Sequence, residues 1–225
     1  MNKIESSNSI YIGLMKIGSK NNILDSYCNN YLYFNTIEHF RSIENSQMGR
    51  HDPHEGDLLI KQVVKLTVEK DGIKYNFHEI FKKFNSQYHE SLTRVPGNIC
   101  SFCLFALKQD INEFSIDQRL KELADTALVI TDFSKFVKSV DKSINQLGFK
   151  FARKQVEYYD PKTYAGDLSF FHKDKYFQYQ NEYRILIQSN GEEPIKLPIP
   201  NLKKVSQLLD FVSLKKLILE IKDTL

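Results

Sequence analysis

The chain has no tryptophan and only nine glycines, six prolines and three cysteines among its 225 residues. So little Gly and Pro excludes a collagen-like or low-complexity polymer, and no Gly-rich loop is present to cradle a phosphate through backbone amides. Cys28, Cys100 and Cys103 leave one thiol over whichever pair is drawn, which does not suit a secreted domain built on disulfides. No stretch approaches the ~18 consecutive apolar residues of a membrane span, and MNKIESSNSIYIGLMKIG lacks an apolar run of signal-peptide length. A cytoplasmic protein with no membrane attachment is expected. The net charge of +3 is too small to predict nucleic-acid or membrane binding by bulk attraction, and Lys outnumbers Arg 25 to 6, the usage of an AT-rich coding region.

What is present is the composition of a folded domain: 41% hydrophobic and 26% charged residues, close to the globular average. A chain of this length can bury one large core. With no repeat and no Gly/Ser- or Pro-rich linker, residues 1–225 read as a single domain.

Residues 10–17 (IYIGLMKI) predict a strand, 21–30 a short helix, 31–35 (YLYFN) a second strand, and Thr36 opens a helix through Ile37, Phe40 and Arg41. A polar loop, SIENSQMGRHDPHEGD, follows. Residues 58–69 alternate as a strand, Asp71-Gly72 supplies a hairpin turn, and 73–77 return. The pattern then predicts a helix over 77–92, a central strand over 98–107 (NICSFCLFAL), a helix over 116–126 and a buried strand over 127–131. Another helix runs over 132–147 with Asp132 as its cap. Strands follow over 149–159 and 176–188, and 214–221 is a final strand or helix. The expected fold class is α+β, with about seven or eight strands in a split, mostly antiparallel sheet flanked by short helices.

The segment FQYQNEYRILI is the most pointed chemically. If it is extended, Gln180, Glu182 and Arg184 share one face while Tyr183, Ile185 and Ile187 share the other, which makes the second face core. The polar trio is then either the solvated face of an amphipathic strand or a site.

A Gln, one residue, then a Glu leading into an apolar strand resembles the Q-x-E/E-x-E segment of the ADP-ribosyltransferase superfamily. The combination YLYFNTIEHFR, RHDPHEGD and FHKDKYFQYQNEYRILI is similar in layout to its bacterial toxin and phage-defence members of the DarT-like and CmdT-like type. That resemblance spans nearly the whole chain. It implies a split-sheet fold, NAD as substrate, Glu182 as the catalytic carboxylate and Gln180 assisting it. It also implies an RNA or DNA acceptor ahead of a protein one, and a neutralising antitoxin as a candidate partner. The early strand departs from the family pattern, with Tyr11-Ile12-Gly13 where many relatives carry Arg or His, and no Ser-Thr-Ser segment stands in a middle strand.

The residue types suit that chemistry. Breaking the bond between nicotinamide and ribose develops oxocarbenium-like charge, which a fixed carboxylate stabilises as in glycosidases. A guanidinium matches a pyrophosphate, with Arg50 or Arg41 as candidates. Tyr11, Tyr31 and Phe34 are candidates for stacking on nicotinamide or adenine, and Asp52 and Glu55 for contacts to ribose hydroxyls.

Two further patterns stand out in the sequence. His51, His54, Asp52, Glu55 and Asp57, with the Cys100–Cys103 spacing, invite a metal reading. In a strand, however, the two thiols point to opposite faces, and Pro53 interrupts His51 and His54, so no metal is assigned. Lys135, Lys138 and Lys142, followed by Lys150, Arg153 and Lys154 among Phe149, Phe151, Tyr158 and Tyr159, suggest either a solvated basic face or a groove for single-stranded nucleic acid. The alternatives to a transferase are a non-enzymatic nucleic-acid or protein-binding module and a metal-dependent nuclease built on the His/Asp/Glu loop.

Overall fold

In the computed structural model, the described residues are 11–42, 52, 54–81, 86–91, 98–108, 117, 119–120, 125–210 and 213. The order is β1 (Tyr11–Gly18), α1 (Lys20–Cys28), β2 (Tyr31–Thr36), α2 (Ile37–Ser42), β3 (Asp57–Val63), β4 (Thr67–Lys70), β5 (Ile73–Asn76), α3 (Phe77–Ile80), β6 (Ser86–Ser91), β7 (Asn98–Lys108), β8 (Thr126–Ile130) and α4 (Phe133–Gln146). There follow β9 (Lys150–Gln155), β10 (Glu157–Tyr159), β11 (Gly166–Asp167), β12 (His172–Asp174), a 3-10 helix (Lys175–Gln180), β13 (Glu182–Ser189), β14 (Ile195–Pro198), α5 (Leu202–Val205) and β15 (Ser206–Asp210). The protein is α+β, with mostly antiparallel sheets and few, short helices.

The principal sheet has eight strands centred on β7. One edge of β7 is paired along its length by β13, from Glu182 opposite Phe105 to Ser189 opposite Asn98. The other edge is shared. β1 holds its far end, from Tyr11 opposite Lys108 to Met15 opposite Phe105, whereas β2 holds its near end through Asn35 opposite Ser101 and Thr36 opposite Cys100. Beyond Met15, β1 continues against β8 alone, with Gly18 opposite Thr126. The sheet therefore splits between β1 and β2, leaving Phe102 to Leu104 on that edge of β7 without a partner strand among the described residues.

The two faces of the sheet do different work. Tyr183, Ile185 and Ile187 of β13 join Cys100, Phe102 and Leu104 of β7 in the main core, closed by Phe136, Val140 and Ile144 of α4. That helix follows its sequence signals: its apolar residues recur at helical spacing, and the Asp132 side chain caps it by accepting from the Lys135 backbone N–H at 2.9 Å. The opposite face carries Glu182 and Arg184, and Arg184 there meets Glu55 just before β3 and the Phe170 carbonyl just before β12, next to the β11-β3-β6 sheet and the parallel β10-β12 pair.

Several expected elements differ. The strand expected over 58–69 is two, because β3 pairs with β6 and β11 while β4 turns through Asp71-Gly72 to pair with β5, leaving Val64 exposed between them. Of the described residues in the helix expected over 77–92, Phe77–Ile80 alone are helical. Ile80 and Phe81 of its apolar stripe stay exposed, and Ser86–Ser91 instead pairs with β3. The strand expected over 176–188 begins only at Glu182, after the 3-10 helix. The predicted helix over 116–126 lies mostly outside the described residues, and 214–221 lies wholly outside them.

Candidate functional site

A cleft of about 670 Å³ opens where the sheet splits. Its walls come from β1 (Lys16, Ile17), β2 (Tyr31, Asn35) and the unpaired stretch of β7. The Lys16 ammonium reaches across the gap and donates to the Cys103 carbonyl at 3.0 Å, satisfying a backbone acceptor that a continuous sheet would have paired. At the bottom lie Glu55, Lys173, Gln180, Glu182 and Arg184.

These five side chains form one buried network. Glu182 is 5% exposed and Arg184 1%. One carboxylate oxygen of Glu182 accepts from the Lys173 ammonium, and the other accepts from Arg184 Nη2 at 2.9 Å. Lys173 Nζ also donates to Gln180 Oε1 at 2.9 Å. The Arg184 guanidinium forks onto Glu55, with Nη1 to Oε1 at 2.5 Å and Nη2 to Oε2 at 3.3 Å, and Nη1 further donates to the Phe170 carbonyl. The backbone N–H of Glu182 donates to the Tyr158 hydroxyl at 2.9 Å. Two cations and two carboxylates thus compensate one another where isolated charges would be prohibitively costly.

The electrostatics follow from that packing. Burial alone would push the Glu182 carboxyl up, but Lys173 and Arg184 beside it prevail and hold it well below the ordinary carboxylate range. Burial works against the charge of Lys173 too, and Glu182 and Glu55 outweigh it, so the ammonium stays protonated. Burial, and then Glu182, raise the Tyr158 phenol and the Cys103 thiol, which keeps both neutral.

Gln180 and Glu182 therefore meet in one cleft, although not by strand alternation. Gln180 ends the 3-10 helix, and Asn181 adopts a left-handed conformation (φ 40°, ψ 56°) that swings the chain into β13. Asn181 is fixed there because its side chain donates to the Ala106 carbonyl and accepts from Gln155 Nε2 at 2.7 Å. Asn tolerates this backbone region better than most residues.

The cofactor-binding candidates scatter. Glu55 and Tyr31 line the cleft. Phe34 does not: it is fully buried in the main core against Phe102, ring centroids 5.3 Å apart, so its face is used in packing and not in stacking on a nucleotide. Arg41 is spent on the 52–57 turn, donating from Nε to the Glu55 carbonyl and from Nη2 to Asp57 Oδ1 at 3.4 Å. Asp52 is the buried first residue of that turn, its carboxylate accepting from the His54 backbone N–H at 3.0 Å. Burial, then the nearby Glu55, push its carboxyl up to about 6. Arg50 lies outside the described residues, and Tyr11 is placed only as the first residue of β1.

The basic groove does not assemble. Phe149 and Phe151 pack against the core, and Arg153 pairs with Asp141 of α4 at 2.8 Å. Lys150 and Lys154 sit opposite Gln188 and Arg184 in the β9–β13 register, on the face away from α4 and its lysines. Among the described residues, no helix is long and apolar enough to cross a membrane.

Sequence reasoning missed two members of the network. Arg184 was visible as the third residue of the alternating face, whereas Lys173 carries no spacing signal and reaches the site only through the fold of β12. No family model, curated protein or solved structure matches this chain.

Proposed function

We propose that the chain is an NAD-consuming ADP-ribosyltransferase of the toxin or phage-defence kind. The observation that carries this reading is Glu182, a buried, ionised carboxylate at the bottom of a cleft large enough for a nucleotide, with Gln180 beside it on a shared lysine. In the proposed step the bond from ribose C1′ to the nicotinamide nitrogen breaks and its electron pair leaves with neutral nicotinamide. The acceptor's nucleophile then bonds C1′ and gives up its proton to solvent water. The leaving group needs no proton, so a carboxylate that stays ionised is suited to stabilising the cationic sugar and unsuited to general acid catalysis. Lys16 and Lys196 at the cleft wall supply positive charge for the pyrophosphate, and Tyr31 an aromatic face.

One observation favours a second reading, a ligand-binding module without a reaction: both oxygens of Glu182 are already engaged by cations. Incubating the protein with labelled NAD and separate RNA, DNA and protein pools distinguishes the two. The transferase reading expects a labelled acceptor that Glu182→Gln abolishes in a sample whose melting is checked in parallel. NAD binding without nicotinamide release supports the binding module, and neither binding nor release overturns the NAD assignment.

A further inference from the structure

A second cluster lies outside the cleft. Asp57 stands at the start of β3, with its side chain 1% exposed, and its Oδ2 meets Nδ1 of His54 at 2.9 Å and Nδ1 of His89 at 2.9 Å. The two imidazoles stack with centroids 3.8 Å apart. Three ligand-type atoms from two segments of the chain, the 54–57 turn and β6, therefore converge, all within 4.8 Å of one another. The fold is shaped to do this. A bulge in β3 puts two residues, from Asp57 opposite Ser91 to Leu59 opposite Glu90, against one step of β6. That changes the parity of the alternation and turns Asp57 to the face that carries His89.

The geometry points to a binding site for one divalent first-row transition ion, of the zinc class, held by His54 Nδ1, His89 Nδ1 and Asp57 Oδ2. Each ring can hydrogen-bond that oxygen only with a proton on Nδ1. A cation between the three atoms replaces both protons and accepts all three lone pairs, and two imidazoles with a carboxylate are the donors such ions prefer. At metal–ligand distances of about 2.0–2.1 Å, tetrahedral coordination separates ligand atoms by roughly 3.3 Å. The two nitrogen–oxygen spacings of 2.9 Å open to that with a shift of a few tenths of an ångström, and the two histidine ligand atoms lie within 4.8 Å of each other. His54, with a side chain 41% exposed, gives the ion a path from solvent and leaves room for water to complete the shell. Arg41 Nη2, at 3.4 Å from the other carboxylate oxygen, orients Asp57 as outer partners of metal ligands do.

The ion's role is positioning. His54 and Asp57 flank Glu55, whose carboxylate is the second anion on Arg184, so an ion there pins the turn that completes the cleft network. The donors themselves do not line the cleft. The site stands on the His/Asp geometry alone and does not depend on the NAD reading.

The test uses tag-free full-length protein stripped with chelator, titrated with Zn²⁺ and, separately, Co²⁺. Metal content after dialysis, the visible absorption of bound Co²⁺ and the thermal midpoint are the readouts. The site predicts one ion per chain, a tetrahedral Co²⁺ spectrum and a raised midpoint. It predicts that His89→Ala and His54→Ala each weaken binding at least about tenfold, with His54→Ala on an exposed turn serving as the variant least able to disturb folding. Absence of stoichiometric metal in the wild type, or affinity unchanged in His54→Ala, overturns the proposal.

Discussion

Arg184 and Glu55 lie 129 residues apart and form a forked, fully buried ion pair, Nη1 to Oε1 at 2.5 Å and Nη2 to Oε2 at 3.3 Å. The same guanidinium holds Glu182 at 2.9 Å. One side chain of the central sheet thus fixes both the site carboxylate and the turn that covers it.

Removing one partner of such a pair leaves a buried charge short of compensation, which costs about 3–5 kcal/mol. Glu55→Ala is expected to destabilise the protein by that amount in urea or guanidinium unfolding. In a double-mutant cycle, Glu55→Ala with Arg184→Met is expected to show strong coupling, whereas additive losses would mean that the pair is not formed in solution.

The depressed titration of Glu182 gives a pH dependence of definite sign. In the unfolded chain a Glu titrates near ~4.3, and in the folded protein Lys173 and Arg184 keep it ionised to lower pH. Its stabilising contribution is complete above the unfolded value and lost as pH falls through the folded one. Stability measured from neutral pH downward is expected to fall below pH ~4 more steeply for wild type than for Glu182→Gln. Equal slopes would show that the carboxylate is not held by its two cations.

Gly56 has φ +77°, and a β-carbon there would stand 2.9 Å from the Phe170 ring and 3.1 Å from Ile37 Cγ2. Gly56→Ala is therefore expected to be destabilising by about 1–3 kcal/mol, through backbone conformation and clash together. Because the turn carries Glu55, the substitution also loosens the Arg184 fork. A melting temperature equal to wild type would contradict this.

Cys28 is exposed, whereas burial pushes the Cys100 thiol up to about 11 and raises that of Cys103, beside which Glu182 adds to the effect. Titration with an alkylating thiol reagent should modify Cys28 in the native protein and reach the other two only on unfolding. Mass spectrometry that finds Cys103 modified first would show that the cleft opens further than described.

Much of this was legible from the residues because local pattern and tertiary packing agree. The Tyr183–Ile185–Ile187 face, the apolar β7, the capped α4 and the Asp71-Gly72 hairpin each satisfy one period or one turn rule. Where the prediction missed, a long-range partner decided. The helical spacing after Phe77 yields to pairing with β3, and Asn181 breaks the alternation that would have carried Gln180 as a strand residue. His54 finds its counterpart in His89, 35 positions later, because β3 and β6 are adjacent strands. Lys173 likewise becomes a site residue only through contacts that no spacing along the chain encodes, and Glu55, a candidate from the sequence for ribose contacts, is held by Arg184 129 residues away.

The central claim is that Glu182 acts on the ribose of NAD, and the rate of nicotinamide release tests it most directly. The account predicts measurable release by wild type and, in a folded Glu182→Gln variant that still binds NAD, a rate lower by at least about 100-fold. No release by wild type with any acceptor pool, or a rate unchanged in Glu182→Gln, would contradict it.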